Sequence, residues 1–524
     1  MTEKNKIFLF LLLILAVASF FRLWQLDSIP PGIWPDEALN ANTAVRILDS
    51  GTFQVFYPEN HGREGLFFLL ISFSFALFGI SVWSFKLVSA FFGILTILGQ
   101  YLFSREFFRL VNLEEKKSQT AALLATFFLA ISFWHINFSR IAFRAILMPL
   151  VLVFSFYFFF RGIRTKKVWN FLLSGIVFGL GFYTYISFRL AVLALAFVLI
   201  FWLFTAIREK WKNKYLFSAT ALLAAVFIVA LPIGIYFLQN PADFMSRAMG
   251  VSVFEQKNPV FAFCQSLFSH LAMFNFSGDL NWRHNFSGFS QLLPLVGIFF
   301  LIGLYWAVRR LVFLFKNAVS DRLSEIGGLF FLFVLFFSLL LPAVLTIENV
   351  PHALRSIGVI PIAYLLAGLG GCLAYQWAGK KWEERKLNAA VLKGTSLFLL
   401  IMMFFFSFIL YFFVWAGNPE LEKAFTKRFV DVGEELNALP LETKKYVIKN
   451  EGDLPAEVPK FIQRTSGRNE AFYIQPEQTK TIDFSSGDFV LIMNKEIDSL
   501  QVVRERFPNG ILYEKERIWI YEIR

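Results

Sequence analysis

Charge and cysteine are both scarce in this sequence. Only 17% of the 524 residues are charged, well below the roughly 25% of an ordinary soluble chain. The two cysteines, Cys264 and Cys372, stand far apart without metal-ligand spacing, which excludes a disulfide framework and a cysteine-based zinc module. There is no Walker loop, no strand-associated GxGxxG and no HExxH, so nucleotide-dependent and zincin-type chemistry have no foothold. Basic residues sit in loops rather than within the apolar runs, which argues against a proton relay or a voltage sensor. The formal net charge of +12 divides into −3 over residues 417–524 and +15 over the rest, where it sits in short loops. That distribution is a topology signal, and it implies no nucleic-acid partner.

What the chain has in abundance is hydrophobic length. Hydrophobic residues make up 57% of it and 69 residues are Phe. Runs long enough to span a bilayer, at roughly 20 residues each, lie near 7–26, 83–104, 119–136, 145–160, 168–184, 190–207, 215–238, 291–308, 325–345, 357–376 and 395–415. The first reads as an uncleaved helix, despite an Ala16-Val17-Ala18 stretch that resembles a signal-peptide cleavage site. The stretch 65–85 is a twelfth candidate by length. If residues 65–79 do not cross, the loops 105–118, 161–167, 208–214, 309–322 and 379–393 are cytoplasmic and hold 21 Lys and Arg, against 7 in the external loops 137–144, 185–189, 239–290 and 346–356. If they do cross, every sign inverts and the positive-inside rule is violated. Eleven spans are therefore expected in a polytopic α-helical protein of the cell membrane. Its N-terminus is cytoplasmic and its C-terminal domain extracytoplasmic.

Residues 27–82 then form a large external segment, opening with IPPGIWPDEALN. Pro35 before Asp36 and Glu37 fits a helix start, where carboxylates meet the positive end of the helix dipole. A helix cap is therefore one reading of that acid pair. Further polar stretches lie beside span ends: HGRE with His61, Arg63 and Glu64, SRIAFR with Arg140 and Arg144, GDLNWRHN with Asp279, Arg283 and His284, and ENVPHALR with His352 and Arg355; Arg189 stands alone. Arg facing acid at a lipid boundary suits one chemistry, in which guanidinium groups hold a phosphate and a carboxylate takes a proton from a hydroxyl. The plainer alternatives are that Arg140 or Arg144 snorkels to the interface and that His352 and Arg355 cap a span. Asn-Phe-Ser sequons begin at Asn137, Asn275 and Asn285, a pattern too short to carry weight in so Phe-rich a chain.

The order of these features resembles the GT-C membrane glycosyltransferases, specifically family 39-like enzymes. The group includes protein O-mannosyltransferases and the bacterial lipid A aminoarabinose transferase. The resemblance rests on one span, an external PDE opening a surface helix, a polar stretch, an apolar interfacial helix ending in Phe78-Gly79, and then Trp83-Ser84-Phe85-Lys86-Leu87 leading into a span. It covers roughly residues 1–415 and is nearest to a bacterial branch carrying GRE, SRIxFRA, GDxNxRHN and PHALRxIG. It implies an inverting transfer of a sugar from a polyprenyl-phosphate donor to a glycan, lipid or protein acceptor outside the membrane. Asp36 would be the general base and Glu37 its neighbour in the site. His61, Arg63, Glu64, Arg140, Arg144, Arg189, Asp279, Arg283, His284, His352 and Arg355 would bind substrate. Neither a metal nor another cofactor is called for, a metal-free site being favoured over a divalent ion. The chain departs from its relatives where His61-Gly62-Arg63-Glu64-Gly65 replaces a Lys-Pro or His-Pro-Pro, and where Arg140 and Arg144 replace an acid.

Domain organisation follows from composition: a transferase domain over 1–416, with external loops 27–82 and 239–290, and a soluble α/β domain over 417–524. The latter carries helical patterns at 420–438 and 455–466, strands at 446–448, 471–474 and 488–493, and a closing hairpin in ILYEKERIWIYEI. Two alternatives stay open. A lipid-linked glycan polymerase or ligase would use a similar outer cavity, whereas a flippase or transporter would need polar groups near the bilayer midplane.

Overall fold

The fold is that of a computed structural model, which describes residues 2–245, 252–317, 322–449, 453–467, 471–480, 489–495 and 499–523. Residues 246–251 of the expected outer loop, 318–321 of an inner loop and Asp488 at the head of an expected strand lie outside these ranges. Among the described residues, nine helices are long and apolar enough to cross a membrane. They run Glu3–Leu23, Val82–Leu110, Arg144–Thr165, Ile186–Arg208, Lys212–Gln239, Pro294–Lys316, Leu323–Val344, Ile357–Glu384 and Ala389–Trp415. Helix is the form these sequences must take in lipid, because only there does each backbone group find a partner within its own segment. The expected run 119–136 falls on a bent pair, Glu115–Ala130 and Phe133–Arg140, with 53° between the two helices. The run at 168–184 corresponds to the short helix Val168–Gly181. The stretch at 65–79 forms the helix Leu66–Phe78, whose 13 residues span about 20 Å and fall short of a crossing. The protein is thus a polytopic, multi-pass helical membrane protein.

The chain divides into two compact units. The first comprises residues 1–24, 54–67 and 89–414. Its bend at Ile131 and Ser132 has a chemical cause and consequence. Ser132 caps the second half by accepting a hydrogen bond from His135 N at 3.1 Å. The carbonyls that the break releases need donors, and Arg22, in the last turn of the first span, supplies them to Ala130 O at 3.0 Å and Leu129 O at 3.5 Å. Both cysteines are free.

The second unit comprises 25–53, 68–88 and 415–524. Following β1 (Phe56–Tyr57) and β2 (Arg63–Glu64) of the first unit, its sheet has strands β3 (Lys444–Ile448), β4 (Phe472–Ile474), β5 (Phe489–Asn494), β6 (Ile511–Glu514) and β7 (Ile518–Ile523) in the order β4-β3-β5-β7-β6. β3 runs parallel to both β4 and β5, while β7 is antiparallel to β5 and β6. Successive residues of β5 enter different cores: Val490 and Ile492 pack with Val432 and Leu436 of helix Lys427–Ala438, while Leu491 and Met493 pack with Val503. A sheet covered on both faces explains why its central strand reads as an unbroken apolar run. The helix expected over 420–438 is instead two, Pro419–Ala424 and Lys427–Ala438. Thr426 breaks it with a left-handed φ of 47°, and its hydroxyl donates to Ile33 O at 2.8 Å. Gly32 makes this approach feasible, since a Cβ there would stand 2.1 Å from Phe425 O.

Candidate functional site

Three groups of polar residues, one in the second unit and two in the first, emerge from the stretches singled out by sequence. In the second unit, helix Pro35–Ser50 begins at Trp34, with Pro35 at its first position. Glu37 folds back so that its Oε1 accepts the Trp34 N–H at 3.3 Å. This is half of a capping box; tryptophan offers no side-chain acceptor for the reciprocal bond. Glu37 is buried, while Asp36, one residue earlier, is half-buried. The cap is therefore Glu37, and the two adjacent acids have separate environments.

The far side of this helix is held by the C-terminal segment of the same unit. Asn42 donates to Glu457 O at 2.9 Å and Glu457 Oε2 at 2.8 Å. Phe461, one turn further along helix Glu457–Thr465, packs between Phe75 and Phe85, at 6.2 and 5.4 Å between centroids. Lys86, of the WSFKL stretch, is fully buried with its ammonium 3.4 Å from Pro30 O. Neither Lys86 nor Arg22 was among the residues expected from sequence. They correct the expectation that basic residues keep to loops: Arg22 lies within the run 7–26 and Lys86 within 83–104, and a basic residue inside an apolar run was the available signal, because burial there demands a partner.

In the first unit the HGRE stretch forms a tight hairpin. β1 (Phe56–Tyr57) pairs antiparallel with β2 (Arg63–Glu64), and Gly62 turns the chain with φ 89°. Glu64 accepts from Arg144 Nε at 2.6 Å, and Arg144 also donates to Gly62 O at 3.1 Å and lies 5.6 Å over the Tyr185 ring. Arg63 pairs with Glu59 at 2.7 Å. His61 is exposed. Arg140 does not join this hairpin; it donates to Phe21 O at 2.9 Å and lies over the Tyr411 and Phe412 rings at 5.7 and 5.1 Å. Neither Arg140 nor Arg144 snorkels as expected for one of them: both are buried among these partners. Arg189 donates to Phe244 O at 2.6 Å and lies 4.1 Å over its ring.

A second cluster in the first unit joins GDLNWRHN to PHALR. Asp279 Oδ1 accepts from Asn281 N, and Oδ2 accepts from Ala353 N, both at 2.8 Å. His284 Nδ1 lies 3.1 Å from the same Oδ2. The His284 ring stacks toward His352 at 5.0 Å and against Phe138 at 5.7 Å. His352 N donates to His270 Nε2 at 3.1 Å, which leaves His270 Nδ1 to donate to Ser266 O at 2.8 Å. Burial pushes His270 below the usual histidine range, consistent with this neutral form. Asp279, His284 and His352 each bring one donor atom within 4.8 Å of the others, a spacing a single ion can bridge. Arg355 is held outside the cluster by Glu348 at 2.5 Å, and Arg283 contributes its carbonyl to Asn137 Nδ2 at 2.6 Å. Two of the sequons are therefore structural: Asn137 and Asn285 are buried and hydrogen-bonded.

Residues 65–235 match the family of dolichyl-phosphate-mannose-protein mannosyltransferases. The whole chain resembles two crystal structures of ArnT from Cupriavidus metallidurans. The apo form gives a TM-score of 0.59 at 14% identity, covering 100% of this chain and 98% of that one. The form bound to undecaprenyl phosphate gives 0.55 at 14% identity, covering 99% and 98%. Among curated proteins, none matches the chain by sequence. The fold defined by these likenesses is that of the GT-C membrane proteins. The two structures show the fold, and the family model matches a segment within it.

Proposed function

We propose that the protein is an inverting glycosyltransferase that moves a sugar from a polyprenyl-phosphate donor to an acceptor on the outer face of the membrane, with Asp36 as general base. The observation that carries this reading is the separation of Asp36 from Glu37. Glu37 meets the structural demand of the helix start, and the half-buried Asp36 follows Pro35 at a fixed position. The polyprenyl-phosphate donor is supported by the resemblance to ArnT, whose structure was solved with undecaprenyl phosphate. In the proposed reaction the acceptor oxygen attacks the anomeric carbon as its proton passes to Asp36. The bond from that carbon to the phosphate oxygen breaks, and polyprenyl phosphate departs. One displacement inverts the configuration without a covalent sugar–enzyme intermediate.

The leaving phosphate needs cationic partners. Arg63 and Arg355 suit this role better than Arg144. Their side chains are 1% and 12% exposed, but their carboxylate partners, Glu59 and Glu348, are 46% and 56% exposed, so water can take up either carboxylate when a phosphate displaces it. The partner of Arg144 is Glu64, only 3% exposed, which commits that arginine to the hairpin. The charge split between loops supports a cytoplasmic N-terminus and an external C-terminal segment. The decisive experiment incubates purified protein with polyprenyl-phosphate sugars and scores release of polyprenyl phosphate. Release that depends on acceptor supports the proposal; transport of the lipid-linked sugar without cleavage rejects it in favour of a flippase.

A further inference from the structure

We propose that Asp279, His284 and His352 form a metal site for a divalent ion, with zinc the ion expected, that fastens the GDLNWRHN loop to the PHALR loop. The donors come from segments far apart in sequence, yet they converge within 4.8 Å and all three residues are buried. Two imidazole nitrogens and a carboxylate oxygen suit zinc, and three protein ligands leave a fourth position for water or another ligand. The 3.1 Å between His284 Nδ1 and Asp279 Oδ2 is also close to the spacing of two ligands on one ion. Atoms about 2.0–2.1 Å from zinc at a tetrahedral angle lie about 3.3–3.4 Å apart.

Charge supplies an independent reason. Asp279 is 1% exposed, and among the described residues the hydrogen-bonding partners of its carboxylate are the backbone N–H groups of Asn281 and Ala353 and the ring of His284. No lysine or arginine among those residues forms an ion pair with it. A buried carboxylate requires a compensating positive charge, and a divalent ion shared with two neutral histidines provides it. The surrounding contacts resemble those that orient metal ligands: Asn281 N fixes Oδ1, and His270 Nε2 receives the His352 N–H, holding the backbone that carries this histidine. The rival explanation is a protonated His284 paired with Asp279, with His352 Nδ1 accepting the Arg355 N–H at 3.4 Å as a local cap, which needs no metal.

The test is the metal content of the full-length protein, purified in detergent without a polyhistidine tag, incubated with zinc and then desalted. About one zinc per chain is expected. Asp279→Asn, His284→Ala and His352→Ala should each reduce it at least tenfold, while His61→Ala, in the exposed turn, should retain it. Should the variants fail to fold, X-ray absorption on the wild type still decides, since the site requires a nitrogen and oxygen shell with imidazole scattering. Zinc below about a tenth of an equivalent in the wild type, zinc unchanged in a folded ligand variant, or sulfur in the shell would overturn the proposal and leave the His284 ion pair. These readouts are independent of transfer, so the site and the proposed reaction can fail separately.

Discussion

The helix start at Asp36 and the hairpin at Glu64 are both short polar stretches between the first two spans, but they treat their carboxylates differently. At the hairpin, Glu64 is buried and its Oε2 lies 2.6 Å from a guanidinium. At the helix start, one acid caps the backbone and the other stays half-buried. The difference separates positioning from reactivity. A carboxylate that secures two chain segments to each other is costly to disturb, whereas one whose neighbour supplies the helix cap can exchange a proton without loss of that cap. The comparison predicts that changes at the two places fail in different ways.

The largest expected effect is on rate. Asp36→Asn keeps the size of the side chain and removes the base. General-base assistance is typically worth about 10²–10⁴-fold. Transfer should therefore fall at least a hundredfold, with thermal stability and donor binding unchanged. Near-normal turnover would move the base elsewhere and remove the distinction drawn between the two stretches.

At the hairpin the loss should fall on stability. Arg144→Met leaves Glu64 buried without its guanidinium, and breaking a buried pair in this way costs about 3–5 kcal/mol. Thermal unfolding in detergent should show a large drop. The exposed-partner pairs are the contrast: Arg355→Met should change stability by about 0–1 kcal/mol while weakening donor binding. A stable Arg144→Met protein would mean that the hairpin does not depend on this pair.

Much of this arrangement was legible in advance. Apolar runs mark the spans because a bilayer leaves the backbone no alternative to helix, and short strand-like runs between helical patterns mark the C-terminal sheet. What escaped depends on contacts between distant positions. Arg22 was unreadable as a partner for the carbonyls at 129 and 130 because the bend releasing them lies over 100 residues away. The break at Thr426 interrupts a sequence that is helical by pattern, and its cause is the carbonyl of Ile33. Asp279 and His284 share one polar stretch and His352 lies in another; only the fold brings the three donors together. Asp36 and Glu37 were seen as a pair, but which one caps the helix is a matter of side-chain geometry.

A smaller effect tests how the Asp36 helix is supported. Asn42 makes two hydrogen bonds to Glu457, one to its backbone and one to its carboxylate. Asn42→Ala removes both, and such bonds are worth about 0.5–1.5 kcal/mol each, more when the acceptor is charged. Stability should fall by about 1–3 kcal/mol, and limited proteolysis should cut sooner between residues 417 and 524. Unchanged proteolysis would show that Phe461, not Asn42, holds the segment.

The smallest change is the most discriminating. Glu37→Gln preserves an oxygen able to accept the Trp34 N–H, so the half capping box survives. Glu37→Ala removes it, at a cost of about 0.3–1.5 kcal/mol. If Glu37 only caps, the Gln variant should match the wild type in both stability and transfer. The Ala variant should lose a little stability, and its transfer should fall no more than a few-fold, through a looser helix start. The order of the two variants carries the argument, because a proton acceptor and a helix cap respond oppositely to Gln. A catalytic base is abolished by the amide, whereas a cap is preserved by it. If Glu37→Gln folds normally and transfer drops a hundredfold, the roles assigned to the two adjacent acids must be exchanged. Asp36 would then be the residue whose environment, not its chemistry, needs explaining.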